Sequence, residues 1–260
     1  MLTHLDLCSG LGQFAYAGAE IPGLTTCAFC EIDPYCQAQL RYNFPDVPIE
    51  PDIRTLDYTR YEHANFITAG FPCQNISIAG NGEGLNGSKS GVWHSVYDAV
   101  RHIRPAYIAI ENTPELVRRG LGVICQNLAG AGYDIAWRII SAAEFGYPHR
   151  RRRILVYATN THRIRRDAML LYSRAVEQVI SESQEKEVPG LAREFERLRS
   201  PQFWSHDYAN LCALDNGYSH EENAADIHAA GNAVTYHYAR VAMQATALFH
   251  NIIHNVKENQ

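Results

Sequence analysis

The chain has 260 residues, enough for one good-sized core and a small appendage, and its 46% hydrophobic and 20% charged residues exclude a disordered protein. No apolar run approaches the roughly 18 residues that a membrane span requires, and the sequence from Met1 to Asp6 has no secretory-signal pattern. We therefore expect a cytoplasmic protein whose cysteines are free thiols.

Three of the seven cysteines, Cys27, Cys30 and Cys36, lie close enough in the sequence to raise the question of a metal site. Zinc prefers four ligands, however, and no paired Cys/His set follows at a usual spacing. We expect these side chains to pack around a strand and a helix, with no metal.

The net charge of −5 does not indicate a nucleic-acid binder, but the charge is unevenly distributed. The stretch from Phe145 to Arg166 contains no Asp or Glu. Its arginines are Arg150, Arg151, Arg152, Arg153, Arg163, Arg165 and Arg166. Such a basic stripe can contact phosphates even on an acidic protein, although a solvated charged face explains the composition equally well.

Short apolar runs alternate with helical patterns over the first 158 residues. The predicted strands are Leu5–Cys8, Thr25–Cys30, Asn65–Ala69, Tyr107–Ile110, Tyr133–Ile140 and Arg153–Ala158. Helices are expected up to about Ala19, from Asp33-Pro34 onward and from Pro114 onward. This alternation predicts an α/β fold with a Rossmann-like, doubly wound and mostly parallel sheet, whose sites lie at the carboxyl ends of the strands.

The composition changes after Ala158, which predicts three units. Residues 1–158 would form the catalytic and cofactor-binding domain. Residues 159–225, with helical patterns over 168–186 and 191–199, would form a small separate lobe. Residues 226–260 would return to the first domain as a helix that begins near Gly231 and ends near His254.

Polar residues follow the first predicted strands. A glycine-rich turn runs from Asp6 to Gly12, Glu31 ends the second strand, and Asp52 precedes an apolar position. A glycine turn can approach a ligand closely, and acids at successive strand ends can bind a ribose diol and a base amino group. Together they indicate a nucleoside cofactor, although each acid alone is more often a helix cap or a solvated side chain.

Two further strands are followed by reactive groups. Cys73 follows the third predicted strand, and a thiolate is a strong nucleophile when its pKa is lowered. The loop over residues 80–91 has five glycines and could close over a substrate. Glu111 follows an apolar strand, where burial would raise its pKa. The alternatives are a buried structural cysteine and a helix N-cap.

These motifs resemble those of the DNA cytosine-5 methyltransferases, in the usual order and over nearly the whole chain, as in compact phage or bacterial members. The resemblance implies binding of S-adenosylmethionine by Asp6, Cys8, Ser9, Gly10, Leu11, Gly12, Glu31, Ile32, Asp52, Ile53, Pro72, Asn232 and Ala233. It implies catalytic roles for Cys73, Glu111, Arg151 and Arg153. Contacts to the base or DNA would come from Phe71, Gln74 and Ser77, and phosphate contacts from Arg163, Arg165 and Arg166.

The family mechanism gives each catalytic residue a task. The Cys73 thiolate would add to carbon 6 of cytosine, Glu111 would bind ring nitrogen 3, and Arg153 would contact the base carbonyl, with Arg151 supporting their geometry. The base must leave the duplex for this chemistry. Four residues depart from the family pattern: Cys8 stands where Phe is usual, His149 where Gln is usual, Asp98 where Arg is common, and Thr235 in place of a frequent residue after Gly-Asn-Ala-Val.

The resemblance also implies partners. Double-stranded DNA is the expected substrate, residues 159–225 would read a short target site, and a cognate restriction endonuclease is a candidate partner. Methylation of RNA, methylation of free pyrimidine nucleotides and a catalytically silent DNA-binding regulator remain alternatives. The Cys-Phe-Thr marker of the transfer-RNA branch is absent.

Overall fold

The fold is a seven-stranded sheet with helices on both faces, seen in a computed structural model that describes residues 1–71, 91–145, 151–164, 168–185 and 236–258. The strands are β1 (Leu2–Leu7), β2 (Leu24–Cys30), β3 (Ile49–Glu50), β4 (Phe66–Ala69), β5 (Tyr107–Asn112), β6 (Tyr133–Ser141) and β7 (Arg152–Asn160). The helices are α1 (Gln13–Ala19), α2 (Pro34–Asn43), α3 (Val92–Ile103), α4 (Leu116–Arg119), α5 (Leu121–Gly130), α6 (Met169–Glu185) and α7 (Tyr236–Glu258).

The strand order is β3-β2-β1-β4-β5-β7-β6. The first five strands in this order are parallel, whereas β7 runs antiparallel to both β5 and β6. The predicted Rossmann-like, mostly parallel sheet is confirmed. The exception has a simple cause, because the short connection between β6 and β7 permits only an antiparallel pair.

Two apolar cores lie on the two faces of the sheet. Side chains of α1, α6 and α7 pack on one face, and side chains of α3 and α5 on the other. All six residues of β5 are buried, as expected for a central strand covered on both sides. The predicted strand ended at Ile110, but β5 continues to Asn112, so Glu111 and Asn112 belong to the strand.

Helix α3 is amphipathic and was not predicted as an element. It buries Trp93, Val96, Val100 and Ile103, which recur at helical spacing. The helix predicted from Pro114 begins later and is divided into α4 and α5 at Gly120.

The boundary predicted at residue 159 does not divide the structure. Tyr172, Val176 and Val179 of α6 are buried in the same core as the sheet residue Tyr157. The ring of Tyr172 stacks on that of Phe249 of α7, with centroids 4.8 Å apart. Helix α6 is therefore part of the sheet domain, and a separate lobe could begin only after it.

Helix α7 packs against α1 and α6 and contacts β5 and β7. None of the described helices is both long enough and apolar enough to cross a membrane. In the described part of the chain, Cys27, Cys30 and Cys36 are free thiols, and no three metal-ligating side chains are grouped for a metal ion.

Candidate active site

The turn between β1 and α1 has an unusual backbone. Cys8, Gly10 and Gly12 have φ values of 54°, 53° and 79°. A Cβ at Gly12 would lie 2.8 Å from Cδ2 of Leu40, whereas one at Gly10 would have no atom within 4 Å. Gly12 therefore permits close packing behind the turn, and Gly10 borders open space in front of it.

Glu31, at the end of the adjacent strand β2, holds this turn in place. Its Oε2 accepts the backbone N–H of Gly10 at 2.7 Å, and its Oε1 accepts that of Asp33 at 2.8 Å. Next to it, the apolar side chain of Ile32 is 59% exposed. A carboxylate beside an open glycine turn suits a ribose diol, and an exposed apolar side chain suits the face of a purine.

A chain of hydrogen bonds runs below the turn and across three strands. His4 Nδ1 lies 3.0 Å from Oγ1 of Thr26, and His4 Nε2 lies 2.7 Å from Oγ1 of Thr68. Thr68 in turn donates to Oδ1 of Asp6 at 2.7 Å. When Asp6 is ionised, the hydroxyl proton of Thr68 goes to Asp6, and the proton between His4 and Thr68 then belongs to Nε2 of His4.

Burial controls the charges of His4 and Asp6 in this hydrogen-bond network. It lowers the pKa of His4 to about 3, so the ring is neutral, and it raises the pKa of Asp6 well above its usual range. The side chain of Asp6 is 0% exposed. Asp6 was predicted to contact the cofactor; its carboxyl is buried and accepts from Thr68, and the cofactor contact stays a prediction.

The other predicted cofactor residues lie around the same turn. Ser9 donates to the backbone carbonyl of Asp6 at 2.7 Å, and Leu11 is buried against Cys36. Burial raises the pKa of Cys8 well above its usual range, with Glu31 as the next cause, so Cys8 stays a neutral thiol.

Asp52 has a local partner that the sequence did not indicate. Its carboxylate caps the 3-10 turn that contains Ile53 and pairs with Arg54, whose Nη2 lies 2.6 Å from Oδ2. The hydrogen bond from Arg54 lowers the pKa of Asp52, which is therefore an anion. The helix-cap role is observed, and the adenine contact stays a prediction.

Glu111 and Arg153 meet at the end of β5. Nε of Arg153 lies 2.8 Å from Oε1 of Glu111 across the antiparallel pair of β5 and β7. Burial raises the pKa of Glu111, as expected from the sequence, while the charges of Arg153 and then Arg151 oppose the rise. This carboxyl can therefore hold a proton at a higher pH than an exposed glutamate.

Asn112 connects this pair to the end of the neighbouring strand. Its Nδ2 donates to the backbone carbonyl of Phe71 at 2.9 Å, and its Oδ1 accepts the backbone N–H of Thr113 at 2.8 Å. Phe71 is the last described residue before the segment that contains Cys73. On the other side, the Tyr238 hydroxyl donates to the backbone carbonyl of Arg151 at 2.6 Å.

Several predicted residues lie outside the described part of the chain. They are Pro72, Cys73, Gln74, Ser77, residues 80–90 of the predicted loop, His149, Arg165, Arg166, Asn232 and Ala233. Their roles stay predictions.

Arg163 lies at the opposite end of the sheet. It follows β7, whose last residue, Asn160, donates its backbone N–H to Ala106 before β5 begins. At about 3.3 Å per residue, the nine residues of β7 separate its two ends by about 26 Å. The basic stripe is thus divided: Arg153 lies at Glu111, and Arg163 lies far from both.

His4 and Thr68 are the site residues that the sequence reasoning missed. A histidine inside an otherwise apolar first strand was a visible signal. Its partner Thr68 is 64 residues away, and only the pairing of β1 with β4 brings the two together.

A glycine turn and an acid follow two adjacent parallel strands, and a buried carboxyl–guanidinium pair lies two strands away, an arrangement typical of the Rossmann-like class of α/β proteins. The chain matches the family model described as C-5 cytosine-specific DNA methylase over residues 2–254, and it belongs to that family.

Among curated relatives, the type II methyltransferase M2.BsuMI of Bacillus subtilis (strain 168) is 37% identical over 163 residues, 60% of this chain and 41% of that protein. The type II methyltransferase M.DsaV of Dactylococcopsis salina is 32% identical over 160 residues, 60% of this chain and 45% of that protein. The chain thus covers less than half of the length of these two relatives.

Solved structures share the fold. The S. pombe Dnmt2 methyltransferase has a TM-score of 0.67 at 18% identity. The match covers 97% of this chain and 99% of that chain. The Entamoeba histolytica methyltransferase EhMeth has a TM-score of 0.50 at 19% identity, with 62% of this chain and 53% of that chain covered.

Proposed function

We propose that this protein transfers a methyl group from S-adenosylmethionine to carbon 5 of cytosine in duplex DNA, with Cys73 as the nucleophile. The observation that carries the proposal is the buried pair of Glu111 and Arg153, connected through Asn112 to the strand end that precedes Cys73. A buried carboxyl with a raised pKa is suited to hydrogen-bonding or protonating a ring nitrogen.

The residues divide the chemistry between them. The Cys73 thiolate forms a bond to carbon 6 while Glu111 binds ring nitrogen 3, and carbon 5 becomes nucleophilic. Arg153, already beside Glu111, contacts the base carbonyl oxygen, and Arg151 supports the geometry. Loss of the carbon-5 proton and release of the Cys73 thiolate then restore the aromatic ring and the enzyme.

The cofactor site fits S-adenosylmethionine, which when bound supplies the methyl group. Glu31 has lone pairs available for a ribose diol, and Ile32 offers an exposed apolar surface for the adenine. The space in front of Gly10 allows the close approach of a ligand.

A covalent trap tests the nucleophile. A duplex with 5-fluorocytosine at the target should form a stable adduct with Cys73, because fluorine cannot leave as the carbon-5 proton does. Cys73→Ala should abolish both the adduct and methyl transfer, and Cys125→Ala, which changes a free thiol of α5, is the matched control. Turnover within about tenfold of the parent protein in Cys73→Ala would refute the assignment.

The substrate class needs a separate experiment. Labelled methyl transfer onto duplex DNA, RNA and free pyrimidine nucleotides should be measured in parallel, with DNA expected to be the acceptor. Bisulfite sequencing of DNA from cells that express the protein then gives the target.

Residues 186–225 are our revised candidate for the target-recognition lobe. The proposal also includes a cognate restriction endonuclease as a partner and a cytoplasmic location.

A further inference from the structure

A basic pocket lies at the end of the sheet opposite Glu111. It has a volume of about 430 Å³ and is formed where α3 and α5 end and where β7 is followed by a turn. Its polar side chains come from Tyr97, Arg101, Arg104 and His162, and the remaining lining residues are glycines and alanines. The lining therefore contains two guanidinium groups and an imidazole but no carboxylate.

The two arginines form no ion pair within 4.0 Å with the described residues. The guanidinium of Arg101 lies over the Tyr97 ring, 5.8 Å from its centroid. A third arginine is near. The charges of Arg104 and Arg163 both oppose the rise that burial causes in the pKa of Tyr133. On a chain with a net charge of −5, such a grouping is a local exception.

The backbone of Arg104 has an unusual conformation at the edge of the pocket. This residue ends α3 with φ 50° and ψ 55°, a left-handed conformation that glycine or asparagine adopts at lower cost. Gly132 makes room for the imidazole, because a Cβ there would lie 3.1 Å from Nε2 of His162. The local structure thus presents an arginine where a glycine would be easier to accommodate, and leaves its pocket open.

We propose that this pocket binds the phosphate backbone of DNA at a position remote from the target base. Two guanidinium groups and an imidazole provide donors for phosphate oxygens. Because Arg101, Arg104 and His162 are all exposed, the pocket suits a phosphate on a large, solvated polymer better than an enclosed small ligand. The proposal takes DNA from the proposed function but does not require methyl transfer.

Binding to a dA·dT duplex, which contains no cytosine, separates this surface from the chemistry. The Arg101→Gln/Arg104→Gln variant should bind this duplex several-fold more weakly, and its slope of log affinity against log salt should decrease by about 2, since each lost phosphate contact contributes about 0.9. The matched control is Arg41→Gln/Arg174→Gln, which removes two exposed arginines from other helices. The control should retain the parent slope.

Two further variants distinguish binding from folding. Arg101→Lys/Arg104→Lys keeps both charges and should recover most of the salt dependence. Arg104→Gly removes one charge but relaxes the left-handed backbone, so the melting temperature should stay or rise while DNA affinity falls. If Arg104 only stabilised the end of α3, Arg104→Gly would change the melting temperature and leave the DNA affinity unchanged.

Three results would overturn the proposal. The first is a salt slope for the double glutamine variant equal to that of its control. The second is a lower melting temperature in that variant with unchanged DNA affinity, which would leave only a helix-end role. The third is a response of the His162 and Gly132 amide signals to inorganic phosphate but not to the duplex. Loss of methyl transfer in Cys73→Ala, by contrast, bears only on the proposed function.

Discussion

At the scale of single residues, the charge of Glu111 depends on burial and on Arg153. Burial raises the pKa of the carboxyl, and the guanidinium opposes that rise. If the protonated form of Glu111 assists attack at the base, methyl transfer should decline as the pH rises through this pKa.

Removing the charge of Arg153 should therefore move that decline to higher pH. We expect Arg153→Gln to show a slower single-turnover rate, since a base contact is lost, with its alkaline limb displaced upward. Arg153→Lys keeps the charge and should keep the alkaline limb of the pH–rate profile near its original position. The profile of Glu111→Gln should have no alkaline limb. An unmoved limb in Arg153→Gln would mean that another group titrates.

Thr68 provides a second test at this scale. Its hydroxyl accepts from His4 and donates to Asp6 inside the protein. Thr68→Val removes the hydroxyl and leaves both partners buried without it, which should cost about 2 kcal/mol or more of unfolding free energy and weaken cofactor binding. Thr68→Ser keeps the hydroxyl and should lose less.

Urea unfolding and calorimetric binding of S-adenosylmethionine measure the two effects of Thr68 separately. A change in stability alone would assign Thr68 to the core. Equal behaviour of the valine and serine variants would show that the hydroxyl has no role in either property.

At the scale of elements, α6 and the residues after it should differ in their tolerance to deletion. Helix α6 buries Tyr172, Val176 and Val179 in the main core, so its removal exposes apolar surface of the sheet domain. Replacing residues 186–225 by a short linker should leave cooperative unfolding and cofactor binding intact while target methylation is lost. Replacing residues 168–225 should abolish the cooperative transition as well. If both deletion variants unfolded cooperatively, α6 would belong to a separate lobe and not to the sheet domain.

At the scale of the whole molecule, His4 should make stability depend on acid. Its pKa is about 3 in the folded protein and about 6.5 when exposed. Below pH 6.5 the unfolded chain therefore binds a proton that the folded protein does not, and stability should fall from there towards pH 3 by up to about 1.4 kcal/mol per pH unit. Above pH 6.5 this contribution is constant.

The control is His4→Phe, which keeps a ring but has no group to titrate. Its overall stability should be lower because Thr26 and Thr68 lose a partner, but its dependence on acid should be shallower between pH 6.5 and 3. His250, whose pKa is also lowered by burial, to about 4, is present in both proteins and cancels in the comparison. Parallel curves would place the acid sensitivity elsewhere.

The fold class, the strand-end position of Glu31 and the family were all predictable from the sequence. Alternating strand and helix patterns require a layered α/β sheet, and glycines and acids at strand ends are visible without coordinates. The helical spacing of Trp93, Val96 and Val100 is also visible in the sequence, although α3 is not among the predicted elements.

Which of these residues contact each other follows from the folded structure and not from local sequence patterns. The fold paired Glu111 with Arg153 because β7 enters the sheet antiparallel to β5, and the same reversal carried Arg163 to the opposite end. It brought His4 to Thr68 through strand pairing and placed α6 in the core. Such contacts depend on strand order and direction, which follow from burying the apolar faces of all elements at once. A local pattern of residues therefore does not predict them.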